Sequence, residues 1–295
     1  MKLTKPENYT TNKVRKYVCN TWDVYINHVR QTKHIKKGKS YSHFGKGVIF
    51  RGHYKPKWKL QSCLERNLIF PKGTKGKDKN GNPLKKKHLH GKKLNGKDWF
   101  QDLCKQQLEN FYWNAKGLID FGQDPNDDII WAIGRHHGLL TPFLDWSYSP
   151  YVAAFFAFLP YYENAAIAGK LSSSGPSQKI KVNIWGLRFL EQIEKENEFK
   201  IIELPYSRVT RMHAQASVFT YLQHIDYIDL CDYLKHRKIA HCLELYEIPL
   251  SEAIPAIRDL ELMNINLSTL FPDAEGAARQ TNINRDFFRV SMLLK

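Results

Sequence analysis

An apolar run near the middle of the chain constrains the fold more than any other feature. Residues 149–159 read SPYVAAFFAFL. Ser149 and Pro150 are residue types favoured at the N-cap and the first position of a helix. The residues after them are apolar on nearly every side, so the helix has no face suited to water. The preceding run LLTPFLDW is strand-like, with Pro142 acceptable at an edge. The sequence therefore predicts a buried helix directly after a short strand.

The remaining patterns predict an α+β fold. Helical spacing is seen in VCNTWDVYINHVRQTKHI, in LQSCLERNLIF with Ser62 near its start, in residues 98–121, in DDIIWAIGRHHG with Gly138 at its end, and from about Ser251. Strands are expected at Val48 to Phe50, KIKVNIW, FKIIELP, AQASVFTYLQ and HCLELYEIP. Helices come first and mostly strands with helical inserts follow, which is typical of α+β proteins.

Positive charge is concentrated in the first third of the chain. Residues 1–100 hold 26 Lys and Arg against 5 Asp and Glu, a net charge of +21, whereas the whole chain carries +16. Such a region, mixed with aromatic residues, favours a polyanionic partner, with solubility alone as the alternative. The cationic residues expected to contact nucleic acid are Lys55, Lys57, Lys85, Lys86, Lys87, Arg208 and Arg211.

Composition also sets the domain organisation and excludes several classes. We predict a basic, helical N-terminal arm over residues 1–45 and one domain over 46–295. Residues 71–97, rich in Lys, Gly and Asn, are predicted to form a flexible insertion. The five cysteines are scattered and predict neither disulfides nor a thiolate metal site. No run is apolar enough for a membrane span or a signal peptide, so the cytoplasm is the expected compartment.

Four stretches carry a family resemblance: FRG at 50–52, RHHGLLTPFLDWSYSPYVAAFFA at 135–157, RMHAQASVFT at 211–220 and LMNINLSTLFPDAEGAA at 262–278. In this order they resemble the FRG-domain family, over residues 45 to 280. The layout is similar to the split β-sheet core of ADP-ribosyltransferases. That similarity implies NAD as a substrate, Arg51 on a first strand, Asp145, Trp146 and Ser147 on a second, and Gln215 on a late strand.

Arg51 and the two other candidate catalytic residues have chemical roles of their own. A guanidinium can hold a diphosphate through two hydrogen bonds, and Gly52 would let a ligand approach the backbone. The alternative for Arg51 is a structural ion pair with a carboxylate such as Asp145. Gln215 stands where such transferases usually have Glu, and it carries no charge to stabilise an oxocarbenium ion. Asp145 either supplies that carboxylate or anchors backbone amides.

Further residues are predicted to bind the cofactor. They are Gly52, His53, His136, His137, Trp146 and Ser147, together with Arg51. Adjacent helical histidines point in different directions, so at most one of His136 and His137 should face the site. Trp146, Tyr148, Tyr151 and Phe219 are candidates for an aromatic pocket, whereas Phe155 and Phe156 are assigned to the core. No bound metal is expected.

The sequence leads to a functional hypothesis with open alternatives. We expect an NAD-dependent ADP-ribosyltransferase that modifies nucleic acid, RNA before DNA, because unpaired bases can reach a pocket. The chain resembles messenger-RNA-modifying toxins of bacterial toxin–antitoxin systems in phage defence, which implies an antitoxin and a chaperone as partners. The alternatives are a catalytically inert nucleic-acid-binding module and a protein-modifying transferase. A metal-independent nuclease using His136 or His137 is the weakest reading.

Overall fold

Seven strands form one mixed sheet in the part of the chain that the structure describes. The structure is a computed structural model, and it describes residues 12–32, 47–69, 96–123, 125–163, 180–188, 193, 195–204, 210–223 and 229–293. The strands are β1 (Arg15–Val18), β2 (Val48–His53), β3 (Phe143–Ser147), β4 (Lys181–Arg188), β5 (Phe199–Ile202), β6 (Ser217–Leu222) and β7 (Leu243–Pro249). Their order across the sheet is β1-β7-β4-β2-β3-β6-β5. β1 pairs with β7 in parallel, and the other neighbours are antiparallel.

Helices connect and cover these strands. They are α1 (Trp22–Thr32), α2 (Cys63–Ile69), α3 (Gly96–Ala115), α4 (Asp127–His136), α5 (Pro150–Tyr162), α6 (Thr210–Ala214), α7 (Leu230–His236), α8 (Ala253–Leu262), α9 (Leu267–Leu270) and α10 (Ala274–Leu293). Two short 3-10 helices flank β7, at Ala240–Cys242 and Leu250–Glu252. No helix within the described ranges has the length and apolar character needed to cross a membrane.

The apolar run of the opening prediction is α5, and it is buried as expected. The Ser149 hydroxyl accepts a hydrogen bond from the Val152 amide, and Pro150 is the first helical residue. Phe155 and Phe158 are at most 1% exposed. One core cluster joins α5 to α1, α8, α9 and the β2, β4 and β7 strands, whereas a second joins α7 to the other face of the sheet. A third places α3 and α4 over β3 and β6.

The sheet opens between its two central strands. β2 pairs with β4 at six positions and β3 pairs with β6 at five, but β2 and β3 share one register pair, Phe50 with Ser147. Beyond that pair the two halves of the sheet separate. The gap lies at Arg51 on one strand and Asp145 on the other, two residues singled out from the sequence.

Several sequence predictions can be compared with this fold. The α+β class is confirmed. Within the predicted N-terminal arm, residues 12–32 are part of the sheet and its core, because β1 pairs with β7 and α1 lies in the main core. α3 begins at Gly96, two residues before its predicted start. The predicted insertion otherwise falls on residues outside the described ranges.

Candidate ligand-binding cleft

The gap between β2 and β3 leads into a cleft of about 410 Å³. This volume lies within the range of ligand pockets, which is about 300 to 1,000 Å³. Apolar residues of α4, α5 and the turn after α9 line its walls, including Ala132, Ala153, Phe156 and Phe271. The predicted site residues that line the cleft are Arg51, Gly52, His136, Asp145, Trp146, Ser147, Arg211 and Gln215.

Arg51 bridges the two separating strands. Its Nη1 donates to the backbone oxygen of Asp145 at 2.6 Å, a carbonyl that the opened ladder leaves without a partner on β2. The same nitrogen lies 3.6 Å from Oδ2 of Asp145. Burial lowers the pKa of Arg51 to about 10, although Asp145 opposes the shift, so the guanidinium stays charged at neutral pH. Nη2 makes no hydrogen bond to any described residue.

Asp145 binds a second arginine more closely than it binds Arg51. Arg135, in the last turn of α4, donates from Nε to Oδ1 at 3.1 Å and from Nη2 to Oδ2 at 2.5 Å. Burial acts to raise the pKa of Asp145, but Arg135 and Arg51 outweigh it and the pKa is lowered. The carboxylate is therefore ionised, and both of its oxygens are engaged. Two guanidiniums against one carboxylate leave an excess positive charge at the base of the cleft.

His53 does not line the cleft, contrary to its predicted role. It is fully buried, and its Nε2 accepts a hydrogen bond from Nε of Arg51 at 3.0 Å. Burial and the nearby Arg51 lower the pKa of His53 to about 2, so the ring is neutral. A neutral ring can accept this bond and a protonated ring cannot. His53 therefore positions Arg51.

Gly52 lines the cleft and also allows β2 to pack closely against α5. A Cβ at this position would lie 2.0 Å from the Ala153 oxygen and 2.7 Å from the Ala157 nitrogen, both backbone atoms of α5. A side chain therefore cannot fit between β2 and α5. Gly52 has only backbone to present to the cleft that it lines, so the approach of a ligand to this backbone stays a prediction.

Trp146 also has a different position from the one expected. Successive side chains of a strand point to opposite faces, so Trp146 points away from Asp145 and Ser147. Its ring is 3% exposed in the second core cluster, and Nε1 donates to the Thr220 hydroxyl at 2.9 Å. Trp146 lines the cleft while its indole lies in this core, and the other aromatic lining residues include Phe156 and Phe271, whose rings meet edge to face at 6.0 Å.

Gln215 joins the strand side of the cleft to its opposite wall. Its Nε2 donates to the Leu270 oxygen at the end of α9 at 3.0 Å. Its backbone oxygen accepts from the Ser147 hydroxyl at 2.7 Å, and that hydroxyl also accepts from the Ser149 amide at 3.0 Å. Gln215 lies in the turn before β6 rather than on the predicted late strand, and with Ser147 it links β3, this turn and α9.

Arg211 and His136 lie at the mouth of the cleft. Arg211 donates from Nε to Asp273 at 2.6 Å and from Nη2 to Glu275 at 3.1 Å, and its guanidinium lies 5.1 Å from the Phe271 ring centre. Desolvation and the charge of Arg211 lower the pKa of His136. His137 is exposed and does not line the cleft, so one histidine of the pair faces it, as expected.

The predicted nucleic-acid contacts are separated. Lys55 and Lys57 are exposed in the loop after β2. Lys85, Lys86, Lys87 and Arg208 lie outside the described residues. Among the remaining aromatic candidates, Phe219 lines the cleft, whereas Tyr151 packs on the first core cluster and the Tyr148 hydroxyl donates to Glu203.

Sequence reasoning missed Arg135, Met212 and Phe271. Arg135 directly precedes His136 and His137 in the sequence and lies in the last turn of α4. Its pairing with Asp145 follows from the packing of α4 over β3, which no local pattern specifies. Phe156 was assigned to the core, and it packs there while also lining the cleft.

Comparison with known proteins finds a match to one family model over part of the chain. No curated protein and no solved structure matches the chain. The model of the FRG domain matches residues 46–165. This range contains β2 with Phe50-Arg51-Gly52, α4, β3 and α5, and hence the Arg51–Asp145–Arg135 cluster. Over residues 46–165 the chain is therefore similar to FRG domains.

Proposed function

We propose that the cleft binds NAD and that the protein transfers ADP-ribose to nucleic acid, with RNA preferred over DNA. The observation that carries the proposal is the position of Arg51 where β2 and β3 separate. Its Nε and Nη1 are held by His53 and Asp145, and Nη2 is left without a hydrogen bond among the described residues. A fixed guanidinium with an unused donor suits a phosphate oxygen.

The charge balance of the cleft supports an anionic ligand. Arg51 and Arg135 face the single carboxylate of Asp145, and both Asp145 oxygens accept from Arg135. A diphosphate entering beside Arg51 would neutralise the excess charge. The apolar walls formed by Phe156 and Phe271 suit a flat ring such as nicotinamide.

The order of elements supports the transferase chemistry by analogy. Arg51 lies on β2, Ser147 on the neighbouring β3, α5 follows β3, and Gln215 directly precedes the next strand, β6. This resembles the layout expected for an ADP-ribosyltransferase core. Loss of nicotinamide passes through an oxocarbenium-like state, which needs positioning and electrostatic stabilisation more than covalent help. Asp145 is the cleft-lining carboxylate among the described residues, and it would have to exchange its bonds to Arg135 for the substrate to stabilise that positive charge.

The test is to incubate the purified protein with labelled NAD and RNA, DNA or a protein extract. We expect label on RNA with the wild type and none with Arg51→Ala. Arg237→Ala is the matched control, because Arg237 is a partly exposed arginine paired with Glu196 on another part of the fold. Absence of NAD consumption under all conditions would refute the enzyme proposal, and label confined to protein would identify a protein-modifying transferase.

We further propose that the protein acts as a toxin of a phage-defence system, with a neutralising antitoxin and a chaperone as partners. The proposal is based on the resemblance described above. Expression in bacteria should arrest growth with the wild type and not with Arg51→Ala. Equal growth of the two strains at equal protein levels would refute it.

A second candidate function is nucleotide or nucleic-acid binding without turnover. It is favoured by Gln215, whose amide is engaged with Leu270, and by Asp145, whose charge is neutralised by Arg135. Calorimetric titration with NAD separates the candidates. Arg51-dependent binding without NAD consumption would favour the inert module.

A further inference from the structure

A rigid aromatic and basic surface lies where β2 leaves the cleft. Residues 55–59, KPKWK, are all exposed, and Trp58 retains 40% of its surface. We call this surface the Trp58 platform and define it as Tyr54, Lys55, Lys57, Trp58 and Lys59. It holds three cations and no acidic residue.

The platform has a fixed shape. The Trp58 amide donates to the Lys55 oxygen at 3.0 Å, which closes a turn with Pro56 at its second position. The Asn183 side chain donates to the Pro56 oxygen at 3.2 Å, and the Tyr161 hydroxyl donates to the Tyr54 oxygen at 2.9 Å. An exposed ring on such a turn loses little conformational entropy when it binds a partner.

The rings of the platform support one another and are flanked by charge. Trp58 meets Tyr54 edge to face at 4.5 Å and His53 at 5.9 Å. The ammonium of Lys55 lies 5.3 Å from the Tyr54 ring centre and 5.7 Å from that of Trp58. Within the described part of the chain, Lys55, Lys57 and Lys59 form no ion pair. Lys59 interacts electrostatically with Asp229, which leaves Lys55 and Lys57 as the cations beside the exposed indole. This combination matches a partner that carries both phosphates and flat rings.

We propose that the Trp58 platform binds single-stranded nucleic acid by stacking an unpaired base on Trp58. The proposal rests on the nucleic-acid part of the proposed function and not on the transfer of ADP-ribose. Base stacking on aromatic side chains and backbone contacts to Lys are the general means of binding single strands. Tyr54 follows Arg51 by three residues, which is about 10 Å of extended polypeptide. A nucleic acid bound on the platform therefore has its next nucleotides near the cleft.

The surface fits a single strand better than a membrane. It presents one exposed apolar side chain on a tight turn, whereas stable membrane binding needs a larger buried apolar area. Duplex bases are stacked within the helix and cannot reach the indole without flipping. We therefore expect preference for single-stranded over double-stranded RNA of equal phosphate number.

The experiment measures the affinity of the full chain for fluorescein-labelled oligouridylate by anisotropy at constant salt. Trp58→Ala should weaken binding by about 5- to 150-fold, the range of one lost stacking contact, and Trp58→Phe should restore most of it. Trp113→Ala is the matched control and should bind like the wild type, because Trp113 is also an exposed indole beside a lysine, 4.7 Å from Lys116. Lys57→Glu, at an exposed side chain, should also weaken binding and reduce its salt dependence.

The results separate this proposal from the enzyme proposal. Trp58-dependent RNA binding without labelling from NAD supports the platform and refutes the transferase. Wild-type affinity in Trp58→Ala overturns the platform, as does equal weakening by Trp113→Ala. Trp58-dependent sedimentation with phosphatidylserine vesicles and no binding to oligouridylate would also overturn it.

Discussion

Replacing Gly52 with Ala should strongly destabilise the protein through the backbone of α5. The new Cβ would lie 2.0 Å from the Ala153 oxygen, 2.7 Å from the Ala157 nitrogen and 3.1 Å from the Ala153 carbonyl carbon. None of these atoms can move away by a change of rotamer. Since distances under 3.0 Å are essentially never seen for a real Cβ, α5 must withdraw from β2 by about 1 Å.

The cost follows from the burial of α5. Val152, Phe155, Phe158 and their neighbours in the helix are buried in the first core cluster. A gap of about 0.5 to 1 Å forfeits a quarter to a half of each dispersion contact across it. We estimate a loss of about 3 to 5 kcal/mol in the free energy of unfolding, at or above the upper end of the usual range for overpacking, because the clash is with backbone atoms. For a chain of this size that loss lowers Tm by roughly 5 to 8 °C.

The assay is urea or thermal unfolding followed by circular dichroism. Gly186→Ala is the control, because Gly186 pairs with Phe50 on the neighbouring strand and its added Cβ would meet side chains at 3.2 to 3.4 Å. We expect this variant to remain within about 1 kcal/mol of the wild type. If Gly52→Ala were as stable as Gly186→Ala, the argument for close packing of β2 and α5 would be wrong.

Three other changes test the cleft. His53 is neutral when folded, with a pKa of about 2 against an ordinary value of 6.5. Below pH 6.5 the unfolded chain therefore binds one more proton at this residue than the folded chain. The free energy of unfolding of the wild type, measured in urea, should fall by up to about 1.4 kcal/mol per pH unit more than that of His53→Gln. Parallel pH profiles of the two proteins would contradict this. The pKa of Asp145 is lowered, so its stabilising effect is present above its ordinary value of 3.8 and is lost as the pH falls through the folded value. Asp145→Asn should accordingly be less stable than the wild type at neutral pH and change less in acid; an unchanged acid limb would refute the assigned ion pairs. Gln215→Leu removes the bond to the Leu270 oxygen and should cost about 1 kcal/mol in thermal unfolding, whereas a variant as stable as the wild type would show that this link does not hold the wall.

Local patterns predicted most of the elements because their signals are short-range. Ser149 and Pro150 start α5, and Ser62 starts α2 with a capping box, in which its hydroxyl accepts from the Glu65 amide and the Glu65 carboxylate accepts from the Ser62 amide. Gly138 has a φ of +90° just after α4, as a helix-ending glycine often does. Part of the candidate site could also be predicted, since Arg51, Asp145, Ser147 and Gln215 line one cleft.

Other features depended on contacts between distant segments. The pairing of β1 with β7 joins residues 15–18 to residues 244–247, and the sequence near residue 15 carries no sign of it. The side chains of His53 and Trp146 point into the interior because of the register of their strands. A shift of one residue would place them on the opposite face of the sheet.

The sequence by itself determined the buried helix, the α+β class and the residues worth examining, because capping and hydrophobic periodicity act within a few residues. Only the tertiary structure decided what those residues do. In the tertiary structure Arg51 lies where β2 and β3 separate, and Asp145 pairs with Arg135. His53 and the Trp146 ring lie in the interior, and Gly52 packs against α5. Each outcome depends on which strand or helix lies opposite, and that choice is made by the packing of the whole domain.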